Sequence, residues 1–249
     1  MHFQNPIPSP AFLQKLYEDI YKKKYNLICA ESAFTDYNHL QEEKRIAAIE
    51  KFKPGGRLLD VGASTGFFLK SLLKHKKWDG EGVEYSRGAV AKRVDKKIKI
   101  YTGDIFSKKI PNHAYDVVTM HSVFEHVPNP LETLQEVRKK LKDEGLFVFN
   151  VPNMSSLEYF EYKKLRKSFP GFIFEHLFYY NPQSITLLLE KTGFRVVKMT
   201  SRHYSTLHMP PKRPLIGLFT FPQKLFLEYT ELGGALKKGN ILYVYAVKK

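Results

Sequence analysis

Residues Asp60-Val61-Gly62-Ala63-Ser64-Thr65-Gly66 set a carboxylate in front of two glycines with G-x-x-x-G spacing. Glycine at such a turn lets a ligand approach the main chain, and a helix beginning there offers unpaired N–H groups. A pyrophosphate cradle of the G-x-G-x-x-G kind would need glycine at 64 and 67, where the chain has Ser64 and Phe67. No Gly-Lys-Ser/Thr follows, which excludes a Walker loop. Two further acids stand where strands are expected to end. Glu84 is placed to accept both hydroxyls of a ribose, and Asp104, in Gly103-Asp104-Ile105, to accept from an adenine amino group. Three acids around one glycine turn, without a phosphate cradle, predict a nucleoside ligand that lacks phosphates. Taken singly, each acid also reads as an ordinary turn or cap residue.

Three histidines are candidates for proton transfer: His121, His126 and His176. His126 follows Glu125 and His176 follows Glu175, so two imidazoles lie beside acids in sequence, the pairing that tunes a histidine for acid–base work. Sequence adjacency does not set contact, and a structural or surface histidine is the competing reading for each.

Holding these groups takes a strand before each acid. Arg57–Val61 is a short apolar run, followed by a helical pattern of Phe67, Phe68, Leu69, Leu72 and Leu73. Strands are expected at Gly80–Glu84, Ile98–Thr102, Tyr115–Met120, Leu146–Val151, Phe194–Met199 and Ile241–Val247. Helices are expected at Ala89–Val94, Leu131–Leu141 and Pro182–Lys191, the second with Leu131, Leu134, Val137, Arg138 and Leu141 on one buried stripe. This alternation predicts an α/β domain whose parallel sheet is covered by helices on both sides. Residues 1–53 read as an N-terminal helical segment, with helices near 11–26 (ending in Lys22, Lys23 and Lys24) and at Tyr37–Phe52; residues 54–249 form the main domain. Two stretches, about 153–181 and 201–238, break the alternation and read as lid insertions.

Composition narrows the classes. The 249 residues are 43% hydrophobic, enough for a full core, and a single cysteine, Cys29, rules out a disulfide framework and a cysteine-based zinc site. The start has three prolines within its first ten residues and no continuous apolar run of the signal-peptide kind, so the expected location is cytoplasmic. Lys and Arg number 40 against 25 Asp and Glu, a formal net charge of +15 that favours acidic partners or surfaces.

In order along the chain, LLDVGASTGFF, GVEYS, GDI, YDVVTMHSVFEHVPNP and EHLFYYNPQSITLLLEKTGF resemble five motifs of the class I S-adenosylmethionine-dependent methyltransferases. Ser64 stands where many members have glycine. The chain is most similar to the small-molecule group that includes the ubiquinone-biosynthesis O-methyltransferases. The resemblance implies a doubly wound, mostly parallel seven-stranded sheet in the order 3-2-1-4-5-7-6, with the last strand antiparallel. It implies S-adenosylmethionine as cofactor and S-adenosylhomocysteine as product. On that reading Asp60, Gly62, Ala63, Ser64 and Gly66 hold the methionine end, Glu84 and Tyr85 the ribose, and Asp104 and Ile105 the adenine. His121 and Ser122 then border the sulfur and the methyl path, and His126 and His176 are the candidate catalytic residues.

Some relatives carry a metal-binding E-x-x-E-H motif, and here Ser122 replaces its first carboxylate. Glu125 and His126 alone are too few ligands for magnesium or zinc, so no metal is expected. The expected acceptor is a small or amphipathic metabolite, methylated at oxygen. Aromatics at Phe160, Tyr162, Phe169, Phe172, Phe174, Phe178, Tyr179 and Tyr180 suit an apolar lid, and Lys163, Lys164, Arg166 and Lys167 lie beside them. That combination, with the apolar run Leu215–Phe221, also suits contact with an anionic membrane surface. Two other readings stay open: an RNA methyltransferase, disfavoured because no appended RNA-binding module is present, and a non-catalytic partner subunit that keeps the fold.

Overall fold

The computed structural model describes residues 2–9, 12–13, 15–16, 18–19, 36–165, 172–202 and 231–249. Sequence expectations at Lys22–Lys24, Cys29, Arg166, Lys167, Phe169 and most of 201–238, including Leu215–Phe221, lie outside the described residues.

Seven strands form the main sheet: β2 (Gly56–Val61), β3 (Trp78–Glu84), β4 (Ile100–Thr102), β5 (Tyr115–His121), β6 (Leu141–Pro152), β8 (Phe194–Arg202) and β9 (Ile241–Lys248). Their spatial order is β4-β3-β2-β5-β6-β9-β8. Strands β4, β3, β2, β5 and β6 run parallel, and β9 is antiparallel to both β6 and β8. Counting only these seven in chain order gives 3-2-1-4-5-7-6, the order the resemblance implies. The central strands carry apolar runs, Leu58-Leu59, Val117-Val118 and Leu146-Phe147-Val148-Phe149, because helices cover both faces. Successive side chains alternate between the two cores. Leu58, Val117, Leu146 and Val148 enter one cluster, and Leu59, Val118, Phe147 and Phe149 the other.

Helices α1 (Asp36–Glu50), α2 (Phe67–Leu72), α3 (Arg87–Ala91), α4 (Pro130–Lys140), α5 (Leu157–Lys164), α6 (Pro182–Lys191) and α7 (Glu231–Ala235) complete the described residues. Helix α1 shares the core of the domain that follows: Ile46 and Ile49 are fully buried with Leu58, Leu69 and Leu72. Burying each isoleucine is worth on the order of 1.5–3 kcal/mol. Described positions between 12 and 19 are helical, and Leu13 from that stretch joins the opposite core.

Three features differ from the sequence reading. Residues His2–Phe3 form a strand, β1, that pairs antiparallel with β7 (Phe178–Tyr179), tying the N-terminal segment to the 153–181 insertion. On α4 the buried stripe is Leu134 and Val137, with Leu141 beyond the helix end, while Leu131 and Arg138 face solvent. The helix's C-terminal side buries Lys140 instead, satisfied by Glu136, Asn112 and the Ile110 carbonyl. Finally, β6 begins at Leu141 and bulges before Leu146, so Asp143-Glu144-Gly145 sits within the strand, with Glu144 left-handed.

The direction of winding reverses between β2 and β5, the one adjacent pair whose neighbours lead to opposite sheet edges. Ligands of open α/β sheets bind outside the carboxyl ends of strands at such a point. Asp60 and His121 stand there.

Candidate cofactor-binding and catalytic site

The glycine turn leaves β2 in a conformation that L side chains resist. Gly62 has φ +76, Ser64 +53 and Gly66 +79, and Gly66 caps α2. A Cβ on Gly62 would overlap Val123. Main-chain N–H groups of Gly62 and Ala63 donate to the Val83 carbonyl at 2.8 and 3.1 Å, pinning the turn to the end of β3. There Glu84, 3% exposed, accepts from Ser64 N at 2.9 Å and from Ser86 N at 2.8 Å, one bond on each carboxylate oxygen. The Tyr85 main chain adds a further interaction with the carboxylate, and burial raises the pKa of the group. The carboxylate is thus aimed before any ligand arrives.

Asp60 is buried at the end of β2, where its Oδ1 accepts from Thr119 Oγ1 at 2.7 Å. Burial pushes its pKa up to about 7. Asp104 is exposed, with Oδ1 accepting from Phe106 N at 3.0 Å in an Asx turn, while Ile105 is buried and Tyr85 is half exposed. His121 ends β5. Its Nδ1 lies 3.1 Å from Asn150 Oδ1, so Nδ1 carries the proton, and Asn150 Nδ2 donates to Ser122 Oγ at 2.9 Å. Burial lowers the His121 pKa to about 3, which keeps the ring neutral. Its Nε2 is buried without a hydrogen-bond partner, and Phe68 meets the ring edge-on at 5.2 Å.

Two residues that the sequence reading missed come from α1. Glu42 is 8% exposed, and Arg45 Nη1 contacts both its carboxylate oxygens at 2.8 and 3.1 Å. The charges of both reach Asp60, and that of Arg45 also reaches His121. On an amphipathic helix of mixed charge, nothing local marks one ion pair as facing a site; only the docking of Ile46 and Ile49 turns it inward.

A second cluster follows β5 directly. A 3-10 turn, Phe124–His126, carries Glu125 and His126. The Leu177 main chain donates to the Glu125 carbonyl at 2.9 Å, which brings His176 alongside. The His126 and His176 rings lie 4.8 Å apart, edge to face, and His176 Nε2 is 3.9 Å from Glu125 Oε1. The Glu175 carbonyl accepts from His126 Nδ1 at 2.7 Å, so the lone pair of His126 sits on Nε2. Glu125 is 2% exposed, and burial pushes its pKa up to about 8. Its Oε2 and the hydroxyl of Tyr180, which stacks on Phe124, are buried without hydrogen-bond partners. One ligand atom each of Glu125, His126 and His176 can lie within 4.8 Å of the others. The expectation of no metal rested on two ligands; folding adds a third from fifty residues downstream, which no local spacing announces.

A doubly wound sheet with a phosphate-free nucleoside cradle at its switch point defines the S-adenosylmethionine-dependent methyltransferases, and S-adenosylmethionine is the cofactor of this class. Residues 34–199 match the model of a methyltransferase domain family, so the chain belongs to that family. It is 25% identical over 203 residues to a ubiquinone biosynthesis O-methyltransferase of Vibrio cholerae, spanning 77% of this chain and 82% of the relative. Among solved structures, it is similar to an S-adenosylmethionine-dependent methyltransferase of Thermotoga maritima described as a possible histamine N-methyltransferase. That match has a TM-score of 0.63 and 17% identity, and it covers 95% of this chain and 100% of the other. An Archaeoglobus fulgidus methyltransferase matches with a TM-score of 0.58 and 21% identity, over 84% and 93% of the two chains. No helix among the described residues is long and apolar enough to cross a membrane.

Proposed function

We propose that the chain methylates an oxygen of a small or amphipathic metabolite. The observation that carries this reading is the fixed tautomer of His126. A hydroxyl acceptor must lose its proton during transfer, whereas a free amine or thiolate needs no base. His126 donates through Nδ1 to a main-chain carbonyl and presents Nε2 as that base, with His176 packed against it. The V. cholerae relative is itself named for O-methylation.

The bound cofactor supplies an electrophilic methyl on a sulfonium, and the chain's task is to align the acceptor oxygen behind that carbon. Glu84 would take the ribose hydroxyls, and Tyr85 would flank them. Asp104 and Ile105 would take the adenine. Gly62 and Gly66, with Ala63 and Ser64 between them, would give the methionine end a close approach to the turn, near the cations of which Asp60 would supply the carboxylate. His121 and Ser122 border the methyl path, locked by Asn150. Arg45, whose charge acts on both Asp60 and His121, would attract a methionine carboxylate bound beside them. Calorimetric titration with S-adenosylmethionine and S-adenosylhomocysteine tests the cradle, and a labelled-methyl screen of catechols, phenols and hydroxy acids against amines tests the atom. Methylation of amines alone would overturn the oxygen assignment.

The clustering of Glu125, His126 and His176 favours a second reading, in which a divalent cation sits among them. One carboxylate and two imidazoles suit zinc or a first-row transition metal better than magnesium. Such a cation would lower the pKa of a coordinated acceptor hydroxyl. Metal analysis of the purified protein, and turnover with and without chelator, decide between base and cation.

A further inference from the structure

We infer, resting on the placement of the methionine end proposed above, that His121 Nε2 accepts a hydrogen bond from the cofactor's α-ammonium. Asn150 is the positioning residue that keeps a lone pair on that nitrogen.

The sheet sets the direction of the ring. Side chains alternate between faces along a strand, and the hydrogen bond from Thr119 to Asp60 puts those two on one face. His121, two residues beyond Thr119, shares that face. The parallel register that pairs Asp60 with Thr119, carried two residues on, sets Gly62 beside His121. Leu58 and Val117 lie on the same face, packed with Ile46 of α1 and Phe68 of α2. Phe68, in the first turn of α2, meets the His121 ring at 5.2 Å, and the charge of Arg45 on α1 acts on both His121 and Asp60. The imidazole therefore stands by the glycine turn, on the Asp60 side of the sheet and under the two helices.

Its chemistry is fixed from the β6 side. Asn150, 3% exposed, sits directly across the ladder from His121. Its Oδ1 accepts from Nδ1 at 3.1 Å, and its Nδ2 donates to Ser122 Oγ at 2.9 Å. With Nδ1 protonated, the buried and unpartnered Nε2 carries a lone pair. A buried acceptor without a donor destabilises the fold until a ligand supplies one. Ser122 can serve the amide in either orientation; the observed one gives Nε2 a lone pair rather than an N–H. One group at the methionine end can use it. The sulfonium has no N–H or O–H, and the carboxylate only accepts, whereas the ammonium carries three N–H donors. Burial and the nearby Arg45 keep the ring uncharged, as an acceptor facing a cation must be.

The test is calorimetric titration of the full-length chain with S-adenosylhomocysteine and with its deaminated analogue, which keeps the adenosine, the thioether and the carboxylate. His121→Phe keeps a ring against Phe68 and removes the acceptor. It should weaken S-adenosylhomocysteine about tenfold or more and the deaminated analogue less than about twofold. Asn150→Leu should cost about threefold or more on S-adenosylhomocysteine alone, and Asn150→Asp, which still accepts from Nδ1, should restore it. Nitrogen-15 NMR of the ligand-free protein should show Nδ1 of His121 protonated and Nε2 bare, a tautomer that Asn150→Leu releases. Equal losses on both ligands, no loss on either, or a proton on Nε2 would overturn the inference and leave the cradle standing. A parent chain that binds neither ligand would overturn the cradle and the inference together. Should His121→Phe fail to fold, the Asn150 variants and the ring tautomer decide by the same criteria.

Discussion

At the scale of single residues, Asp60 makes the sharpest prediction. Its folded pKa of about 7 stands above the ordinary carboxylate value because burial disfavours the charged form. Between about pH 4 and pH 7 the folded chain therefore holds a proton that the unfolded chain has lost. The contribution of Asp60 to stability falls as pH rises through that window and is level above it. A ligand bearing a sulfonium and an ammonium would reverse the preference and ionise the group. Binding of S-adenosylmethionine near pH 6.5 should then release a fraction of a proton, measured by calorimetry in two buffers of different ionisation enthalpy. Asp60→Asn should abolish that release, and an unchanged proton count would place the cationic ligand elsewhere. Glu84→Ala removes the acceptor for two main-chain N–H groups and for the ribose. It should weaken cofactor binding by at least tenfold, about 1.4 kcal/mol or more, in the same titration. His126→Ala and His176→Ala should leave that affinity intact and lower turnover about 100-fold or more, as expected when a general base is lost.

At the scale of elements, the ends of β2 and β3 were legible in sequence because each run closes on or beside an acid. Asp60 and Glu84 stand where that pattern put them. Other placements depend on contacts between distant segments. The sequence reading treated 153–181 as one insertion, yet Leu177 is fully buried, Phe178–Tyr179 pairs with His2–Phe3, and Tyr180 lies in the core. Two-residue strands leave no periodicity to read. The ion pair on α1 and the approach of His176 to Glu125 were equally silent, since both depend on docking. The turn after β2 offers a test at this scale. Gly62→Ala combines a left-handed φ with overlap against Val123, whereas Gly103→Ala meets only an unfavourable φ, with open space beyond. Denaturant melts should show a loss above about 2 kcal/mol for the first and about 1 kcal/mol for the second. Equal losses would mean that Val123 yields freely.

At the scale of the whole molecule, the excess of cations acts on itself. A net charge of +15 repels within a compact body, and dissolved salt screens that repulsion. Thermal melts should therefore move upward between about 20 and 300 mM sodium chloride. A melting temperature that falls with salt would indicate that local ion pairs, such as those of Arg57, Lys99 and Glu81, outweigh the global term.

The sheet order has a consequence in time. On the ribosome β8 is made well before β9, with residues 203–240 between them, yet among the described residues β9 is its only ladder partner. Until β9 is synthesised, β6 also presents an unpaired edge, and the nascent chain carries two open strand edges that would fit each other without it. The native order requires β9 to slide between them. Speed of elongation through 203–240 should therefore govern the yield of folded protein: synonymous codons that slow that stretch prolong the exposed state, and faster ones shorten it.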